Sequence, residues 1–192
     1  LYTSPTGYRA MAQHLDGYDL SSLRHCVSAG EHLPAATWEL WKERTGISII
    51  DGIGATEMLH IFISAAGEDI RPGATGKAIA GFRAKVVDEQ MNEVPTGEPG
   101  RLAVQGPTGC RYLDDPERQR AYVRDGWNLT GDVYRQDADG YFHYVARADD
   151  MIISAGYNIA GPEVENGLLT HDVVVECEVI GVPDDERGQL VK

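Results

Sequence analysis

The stretch that decides the fold is RHCVSAGEHLPAATWELWKERTGISIIDGIGATE, residues 24–57. Residues 24–30 form a short apolar run that predicts a buried strand, and residues 47–50 predict a second one. Between them, Pro34 opens a predicted helix that ends at Gly46. A strand, a helix and a strand in succession predict a parallel α/β layer.

Small, glycine-rich segments follow both predicted strands. They are Ser-Ala-Gly-Glu at 28–31 and Asp-Gly-Ile-Gly-Ala-Thr-Glu at 51–57, and we predict a turn at each. Ligands of parallel layers bind at the carboxyl ends of the strands. These two turns are therefore where a ligand site is expected.

Three well-known site motifs are nearly matched, and each lacks a required residue. Residues 73–77 imitate a Walker loop, but Arg71 stands at its first glycine and Ala78 at its magnesium-binding hydroxyl. A partial dinucleotide fingerprint has Glu57 at its third glycine, where the carboxylate would face a pyrophosphate. Residues 26–30 lack the leading glycine of a nucleophile elbow. The sequence therefore disfavours a P-loop, hydride transfer and serine hydrolase chemistry.

Two pairs of polar residues remain as site candidates. Thr56 can bind a phosphate oxygen, and Glu57 beside it can hold Mg²⁺, whose charge lets a carboxylate lie near phosphate. Asp132 can accept two hydrogen bonds from a ribose diol, and Arg147 can add donors to the same sugar. From the residues alone, an ordinary capped turn stays open for the first pair, and a surface turn or ion pair for the second.

The chain changes character at about residue 76. Short alternating runs separated by Gly, Pro, Asn and Asp continue to about 148, predicting an antiparallel β-barrel-like region that a short helix near 116–123 interrupts. From about 150, a strand, a glycine turn, a helix and a strand at 178–182 predict the beginning of a small α+β domain. A last apolar run at 188–192 is predicted to stop before it can pair.

Composition limits the classes of partner. The 192 residues include 30 acidic and 17 basic side chains, and residues 87–192, with 21 acidic and 9 basic, carry −12 of the net charge of −13. Such a field repels phosphate backbones and anionic lipids, and no apolar stretch is long enough to span a bilayer. Nucleic-acid and membrane partners are therefore not expected. Three widely separated cysteines favour a reduced, cytoplasmic setting.

Six motifs follow one another along essentially the whole chain. They are SAGE (28–31), DGIGATE (51–57), GRLAVQGP (100–107), WNLTGD (127–132), GYFHYVARADDMIISAGYNIAGPEVE (140–165) and ECEVIGVPDDERGQ (176–189). Their order resembles the adenylate-forming superfamily, and within it the aryl-CoA ligases. The variants DGIGATEMLHIF and DDMIISAGYN are similar to benzoate-type ligases, the 2-aminobenzoate–CoA ligases in particular. Two departures from the superfamily pattern narrow the choice of subfamily. Ile53 stands where many members have an aromatic residue, and Ile153 stands where a lysine is common.

The resemblance implies an ATP-dependent ligase that works in two half-reactions. An aromatic carboxylic acid attacks the α-phosphate of Mg·ATP to give an aryl-AMP and pyrophosphate, and the thiol of CoA then displaces AMP. Mg²⁺ is the implied cofactor, with ATP and CoA as co-substrates.

The resemblance also implies roles for single residues. Thr56 would contact the phosphate and Glu57 the Mg²⁺, both as catalytic residues. The adenine and ribose are implied to lie against Gly30, Glu31, Asp51, Gly52, Ile53, Asp132 and Arg147. Asp149 would be the hinge, and Gly156 would line the channel for the pantetheine of CoA. The aryl pocket is implied near Tyr2, Tyr8, Gly54, His60 and Ile61, with a buried structural role still open for His60.

The resemblance divides the chain as well. Residues 1–148 would be part of a large N-terminal domain, with an α/β layer at 1–75 and a β-barrel-like subdomain at 76–148. Residues 149–192 would hold the hinge and an incomplete C-terminal α+β domain. We expect a segment of a longer protein that is inactive alone, because the family's phosphate loop and catalytic lysine would lie outside it. Two alternatives stay open, an adenylation domain that loads a carrier protein and a non-catalytic acidic scaffold module; a homodimer is a further hypothesis.

Overall fold

The computed structural model describes residues 1–171, 173–174, 176–184 and 186–192. Its strands and helices are, in chain order, β1 (Tyr2–Thr3), α1 (Pro5–Ala12), β2 (Cys26–Ser28), α2 (Ala35–Thr45), β3 (Ile49–Ala55), β4 (His60–Ser64), β5 (Lys77–Ala78), β6 (Arg83–Val87), β7 (Pro99–Gln105), α3 (Pro116–Tyr122), β8 (Val123–Arg124), β9 (Trp127–Gln136), β10 (Phe142–Arg147), β11 (Ile152–Ser154), β12 (Tyr157–Ile159), α4 (Gly161–Leu168), β13 (Gly181–Asp184) and β14 (Gly188–Val191). Short 3-10 helices occupy Thr56–Met58 and Gly67–Asp69.

The first sheet confirms the predicted parallel layer. Its strand order is β1-β2-β3-β4-β5, with β1, β2 and β3 parallel and β4 and β5 antiparallel to their neighbours. The predicted helix is present as α2, and it ends where Gly46 adopts a left-handed φ of 72°. Tyr8 of α1 and Trp41 of α2 bury their rings edge to face in one apolar cluster with Ile49.

The predicted glycine turn at 51–57 is largely wrong, because residues 51–55 continue strand β3 and only Thr56–Met58 turns. The reason is β4, which pairs closely with β3. A Cβ atom on Gly54 would lie 2.8 Å from the His60 carbonyl oxygen, and one on Gly52 would lie 2.9 Å from the Ile61 side chain. These glycines therefore admit a neighbouring strand.

The second sheet confirms the predicted antiparallel region and its helix. Its strand order is β10-β9-β7-β6, with β8 on β9 and α3 between β7 and β8. Over the described residues β6 and β10 do not pair, so the sheet is curled and open where a barrel was predicted. Lys77 and Ala78 pair with β4, so the first sheet extends past residue 76.

A short bridge joins the two sheets. Phe142 donates its N–H to the Gly76 carbonyl at 2.7 Å and accepts the N–H of Thr75 at 2.9 Å. Beneath the bridge, Phe62 and Ile63 from the first sheet pack against Leu102, Phe142 and other residues of the second. The bridge therefore fixes how the carboxyl end of β3 faces the second sheet.

The C-terminal part forms a sheet with the order β12-β11-β14-β13 beside α4. The prediction that the run at 188–192 stays unpaired is wrong, because β14 pairs along β13 and meets β11 at Ser154. The strand predicted at 178–182 begins only at Gly181. Among the residues that the structure describes, no helix is long and apolar enough to cross a membrane.

Candidate active site

An open cavity of about 390 Å³ lies where the carboxyl ends of β2 and β3 face the second sheet. Its walls bring together ten residues singled out from the sequence: Gly30, Glu31, Asp51, Gly52, Ile53, Gly54, Thr56, Glu57, Asp132 and Arg147. The remaining wall residues were not singled out: His32, Ala55, Thr75, Thr130, Tyr134 and Tyr144. The structure thus assembles in one place all the residues that the family resemblance assigns to nucleotide binding.

Parallel pairing of β2 and β3 supplies one wall. Ser28 lies opposite Asp51 at the end of the parallel pairing, where the chain leaves β2 while β3 continues to Ala55. Gly30 then adopts a φ of 97°, which turns the chain toward the cavity. Glu31 follows, and its Oε2 accepts a hydrogen bond from the Thr6 hydroxyl at 2.9 Å.

Asp51 carries an unpaired polar atom in this wall. Its Oδ1 is buried and has no hydrogen-bond partner among the residues described. Burial raises the pKa of the carboxyl to about 7, against a smaller lowering by the N–H of Gly52. Buried acceptors are normally paired, so this oxygen is suited to a donor from a ligand.

Glu57 is held by a residue that the sequence did not indicate. The Tyr112 hydroxyl donates to Glu57 Oε1 at 2.7 Å. This hydrogen bond lowers the pKa of Glu57, and the positive charges of Arg118 and Arg147 add to the effect. An ionised carboxylate therefore stands beside the Thr56 hydroxyl at the cavity wall.

Glu57 fits Mg²⁺ as a single protein ligand. The described residues contain no group of three His, Cys, Asp or Glu side chains that could hold a metal ion by themselves. Mg²⁺ is usually bound by one or two carboxylates together with the phosphates of the substrate. Glu57 supplies one such carboxylate.

Asp132 and Arg147 face each other across the β9–β10 pair. Arg147 Nη1 is 3.2 Å from Asp132 Oδ1 and 3.3 Å from the carbonyl oxygen of Thr130, to which it donates. Burial raises the pKa of Asp132 and outweighs the opposing effects of Thr130 and Arg147. The structure therefore shows a largely buried acceptor with an arginine beside it.

Three aromatic rings, those of His32, Tyr134 and Tyr144, also line the cavity. His32 stacks on Tyr144 with ring centroids 5.1 Å apart, and its Nδ1 is buried without a partner in the described chain. Burial lowers the pKa of His32 to about 4, so the ring is neutral at physiological pH. Tyr134 lies edge to face with Tyr144, and its hydroxyl is 3.3 Å from Thr75 Oγ1. Alternation along β9 and β10 could have indicated these two tyrosines, whereas no local pattern distinguishes Thr75 or Tyr112.

Of the five residues assigned to an aryl pocket, only Gly54 lines this cavity. Tyr8 is fully buried and donates its hydroxyl to the Val27 carbonyl at 3.0 Å. Tyr2 is 67% exposed. His60 is exposed beside Phe82, so the buried structural role considered for it is not observed. Ile61 packs near Gly52 on the neighbouring strand.

The predicted hinge residue, Asp149, and the predicted CoA-channel residue, Gly156, both lie outside the cavity. Asp149 is exposed, and its Oδ1 is 3.4 Å from Arg147 Nε. Gly156 occupies the tight turn between β11 and β12 with a φ of 84°, directly after Ala155 at 49°. A Cβ on Gly156 would meet no atom within 4 Å. The roles of Asp149 as hinge and of Gly156 in the CoA channel stay predictions.

Comparison with known proteins identifies the family. The family model described as AMP-binding enzyme matches residues 1–112. The chain therefore belongs to the AMP-binding, adenylate-forming enzymes. It is 40% identical over 199 aligned positions to the human protein named acyl-coenzyme A synthetase ACSM4, mitochondrial, and the match covers 100% of this chain and 34% of that protein. The chain thus spans about a third of the length of the curated relatives it matches.

Two solved structures are similar over the whole chain. The anthranilate CoA ligase AuaEII in complex with anthranoyl-AMP is 47% identical with a TM-score of 0.93, and 38% of that chain is covered. A benzoate CoA ligase from Burkholderia xenovorans LB400 is 36% identical with a TM-score of 0.88, also with 38% covered. The mixed α/β layer and the curled antiparallel sheet are therefore features of the adenylate-forming fold.

Proposed function

We propose that the protein containing this chain is an ATP-dependent acid–thiol ligase that activates an aromatic carboxylic acid as an acyl-AMP and transfers the acyl group to CoA. One observation carries the proposal. The cavity brings Thr56 and Glu57, suited to phosphate and its cation, to the same place as Asp132 and Arg147, suited to a ribose diol. The phosphates and the ribose of a nucleotide need these two different kinds of binding group.

In the first half-reaction, an oxygen of the substrate carboxylate bonds to the α-phosphorus of ATP, and pyrophosphate leaves. The Thr56 hydroxyl donates to a phosphate oxygen, and the ionised Glu57 is the residue that would hold Mg²⁺. When bound, the cation neutralises charge on the phosphates. Asp132 accepts from the ribose hydroxyls. Asp51, with its unpaired buried oxygen, accepts from the base.

In the second half-reaction, the CoA thiol attacks the acyl carbon, loses its proton, and AMP leaves. We assign Asp149 to the hinge on which residues 149–192 would turn, and Gly156 to the channel for pantetheine. The open space around Gly156 supports this assignment, since a side chain there would extend into the space that the thiol must cross. The division into residues 1–148 and 149–192 is part of the same proposal.

The aromatic substrate class is supported by the similar structures of an anthranilate CoA ligase and a benzoate CoA ligase. The curated relatives carry the broader name acyl-coenzyme A synthetase, so an aliphatic acid is the competing substrate class. Gly54 is the one residue of the predicted aryl pocket that lies on the cavity wall.

The test is an acid panel on the full-length gene product with ATP, Mg²⁺ and CoA. We expect thioester formation from 2-aminobenzoate, benzoate or 4-hydroxybenzoate to exceed that from octanoate. Preference for octanoate would reject the aromatic class. Acyl-AMP formation with no thioester on free CoA would favour the carrier-loading alternative, and no calorimetric ATP binding would favour the scaffold alternative. Glu57→Ala is the inactive control.

A further inference from the structure

Tyr112 lies outside every site motif and yet touches the site. It belongs to the segment between β7 and α3, and its hydroxyl donates to Glu57 Oε1 at 2.7 Å across 55 positions of sequence. The hydrogen bond links the second sheet region to the turn that ends β3. Among the described residues, no other side chain forms a hydrogen bond with the Glu57 carboxylate.

Residues of α3 contact the Tyr112 ring on two sides and its backbone at a third point. The Tyr122 ring meets it edge to face at 5.7 Å, and the guanidinium carbon of Arg118 lies 4.2 Å from its centroid. Gln119 Oε1 accepts the Tyr112 backbone N–H at 2.8 Å. Asp115 caps the start of α3 through the Arg118 N–H at 2.9 Å. The hydroxyl is therefore presented to Glu57 by a ring that packs against α3.

Such a donor has a definite effect on a carboxylate. It occupies one oxygen and restricts rotation of the side chain, while the second oxygen keeps its lone pairs for another partner. A positive charge over the ring polarises the phenol and strengthens it as a donor. Preorganised groups bind a charge with less reorganisation than mobile ones.

We propose that Tyr112 is a positioning residue that holds the Glu57 carboxylate ready for the divalent cation accompanying ATP. The inference rests on the proposed function, since it assigns the cation to the same site. It predicts that removing the Tyr112 hydroxyl weakens nucleotide binding only when the cation is present. A merely structural role for Tyr112 would weaken binding in both conditions.

The test compares Tyr112→Phe with Tyr122→Phe in the full-length gene product. Tyr122 is the matched control, because its ring belongs to the same pair while its buried hydroxyl has no hydrogen-bond partner in the described structure. Calorimetry measures the Kd of adenosine 5′-(β,γ-imido)triphosphate with Mg²⁺ and with EDTA. We expect Tyr112→Phe to raise the Kd about tenfold with Mg²⁺, the ratio typical of one charge-assisted hydrogen bond, and to leave the EDTA value within about twofold. Tyr122→Phe should change neither.

A double-mutant comparison gives an independent readout. In a Glu57→Gln background, Tyr112→Phe should have no further effect, because the group that it positions has lost its charge. In steady-state assays of Tyr112→Phe, the Mg²⁺ concentration that gives half the maximal rate should rise, while the KM of the carboxylic acid should stay constant. Should Tyr112→Phe not fold, Tyr112→His keeps a ring with an N–H donor and should retain part of the Mg²⁺-dependent binding.

The outcomes separate this inference from the proposed function. The positioning role is overturned if Tyr112→Phe weakens nucleotide binding equally with Mg²⁺ and with EDTA. It is also overturned if Tyr112→Phe binds the nucleotide as tightly as the wild type does. Either result leaves the ligase proposal intact. A wild-type protein that binds no nucleotide in either condition overturns both.

Discussion

Arg147 lies directly opposite Asp132 in the register of β9 and β10, with its Nη1 atom 3.2 Å from Asp132 Oδ1. Only 9% of Asp132 is exposed, whereas 45% of the Arg147 side chain remains accessible. The carboxylate is thus held by the sheet with one oxygen in an ion pair. This arrangement presents an oriented acceptor to a ligand in the cavity.

We predict that Asp132→Asn weakens ATP binding by the full-length gene product. The change preserves size but removes the charge that strengthens hydrogen bonds to a ribose diol, so the Kd should rise by about 10- to 100-fold. Calorimetric titration with ATP measures the change. Asp139→Asn, at the far end of the same hairpin, is the control and should bind as the wild type does. An unchanged Kd in Asp132→Asn would contradict the ribose assignment.

Gly76 provides a test of the junction between the sheets. Its φ of 132° is unfavourable for other residues, and an added Cβ would overlap the Ser64 carbonyl group. Gly76→Ala should therefore lower the free energy of unfolding by about 2–5 kcal/mol, combining backbone strain with steric overlap. Denaturant unfolding of the full-length gene product measures the loss.

Gly81→Ala is the matched control for Gly76→Ala. Gly81 also has a positive φ, of 90°, but no atom lies within 4 Å of the added Cβ. It should lose only about 1–2 kcal/mol from backbone strain. Equal losses in the two variants would show that the approach of Ser64 to Gly76 does not constrain the structure.

Local signals explain why much of the fold was predictable. The proline and glycine at the two ends of α2 are strong helix signals, and the run at 24–30 marked the buried strand that the structure shows at Cys26–Ser28. The chemistry of Thr56, Glu57, Asp132 and Arg147 marked the cavity walls. Each of these signals lies within a few residues of the feature that it predicts.

The wrong or missing predictions depend on contacts between distant segments. The glycines of β3 read locally as a turn, but they accommodate β4, which no pattern placed beside them. The pairing of β14 with β11 spans 34 positions at Ser154 and Gly188. Tyr112 reaches Glu57 only because α3 folds beneath it. Such contacts become visible once the tertiary structure is known.

Asp137 organises the hairpin between β9 and β10. Its Oδ1 accepts the N–H groups of Asp139 at 3.0 Å and Tyr141 at 2.8 Å, and its Oδ2 is 3.0 Å from His143 Nε2. Asp137→Ala should lower the free energy of unfolding at pH 7 by about 1–2 kcal/mol. Asp139→Ala removes only an exposed ion pair with Arg71 and should cost about 0–1 kcal/mol.

The pH dependence of the Asp137 effect follows from its pKa. The hydrogen bond with His143, followed by the backbone N–H groups, lowers that pKa in the folded protein. Its stabilisation is therefore present above the ordinary pKa of aspartate and is lost as the pH falls through the lowered value. The difference between wild type and Asp137→Ala in denaturant unfolding should shrink toward pH 3. A difference that grows on acidification would contradict this account.

Asp51 should give the opposite pH dependence, because burial raises its pKa to about 7. Below the pKa of about 4 that the carboxyl has in the unfolded state, it is protonated in both the folded and the unfolded states. Its ionisation then does not affect the free energy of unfolding. As the pH rises toward 7, the unfolded state ionises first, so folding loses stability by an amount of at most roughly 4 kcal/mol. Asp51→Asn removes the ionisation, so its stability relative to the wild type should increase between pH 4 and pH 8 in ligand-free unfolding experiments. A relative stability that stays constant over this range would show that the Asp51 carboxylate is already solvated or paired in the folded protein.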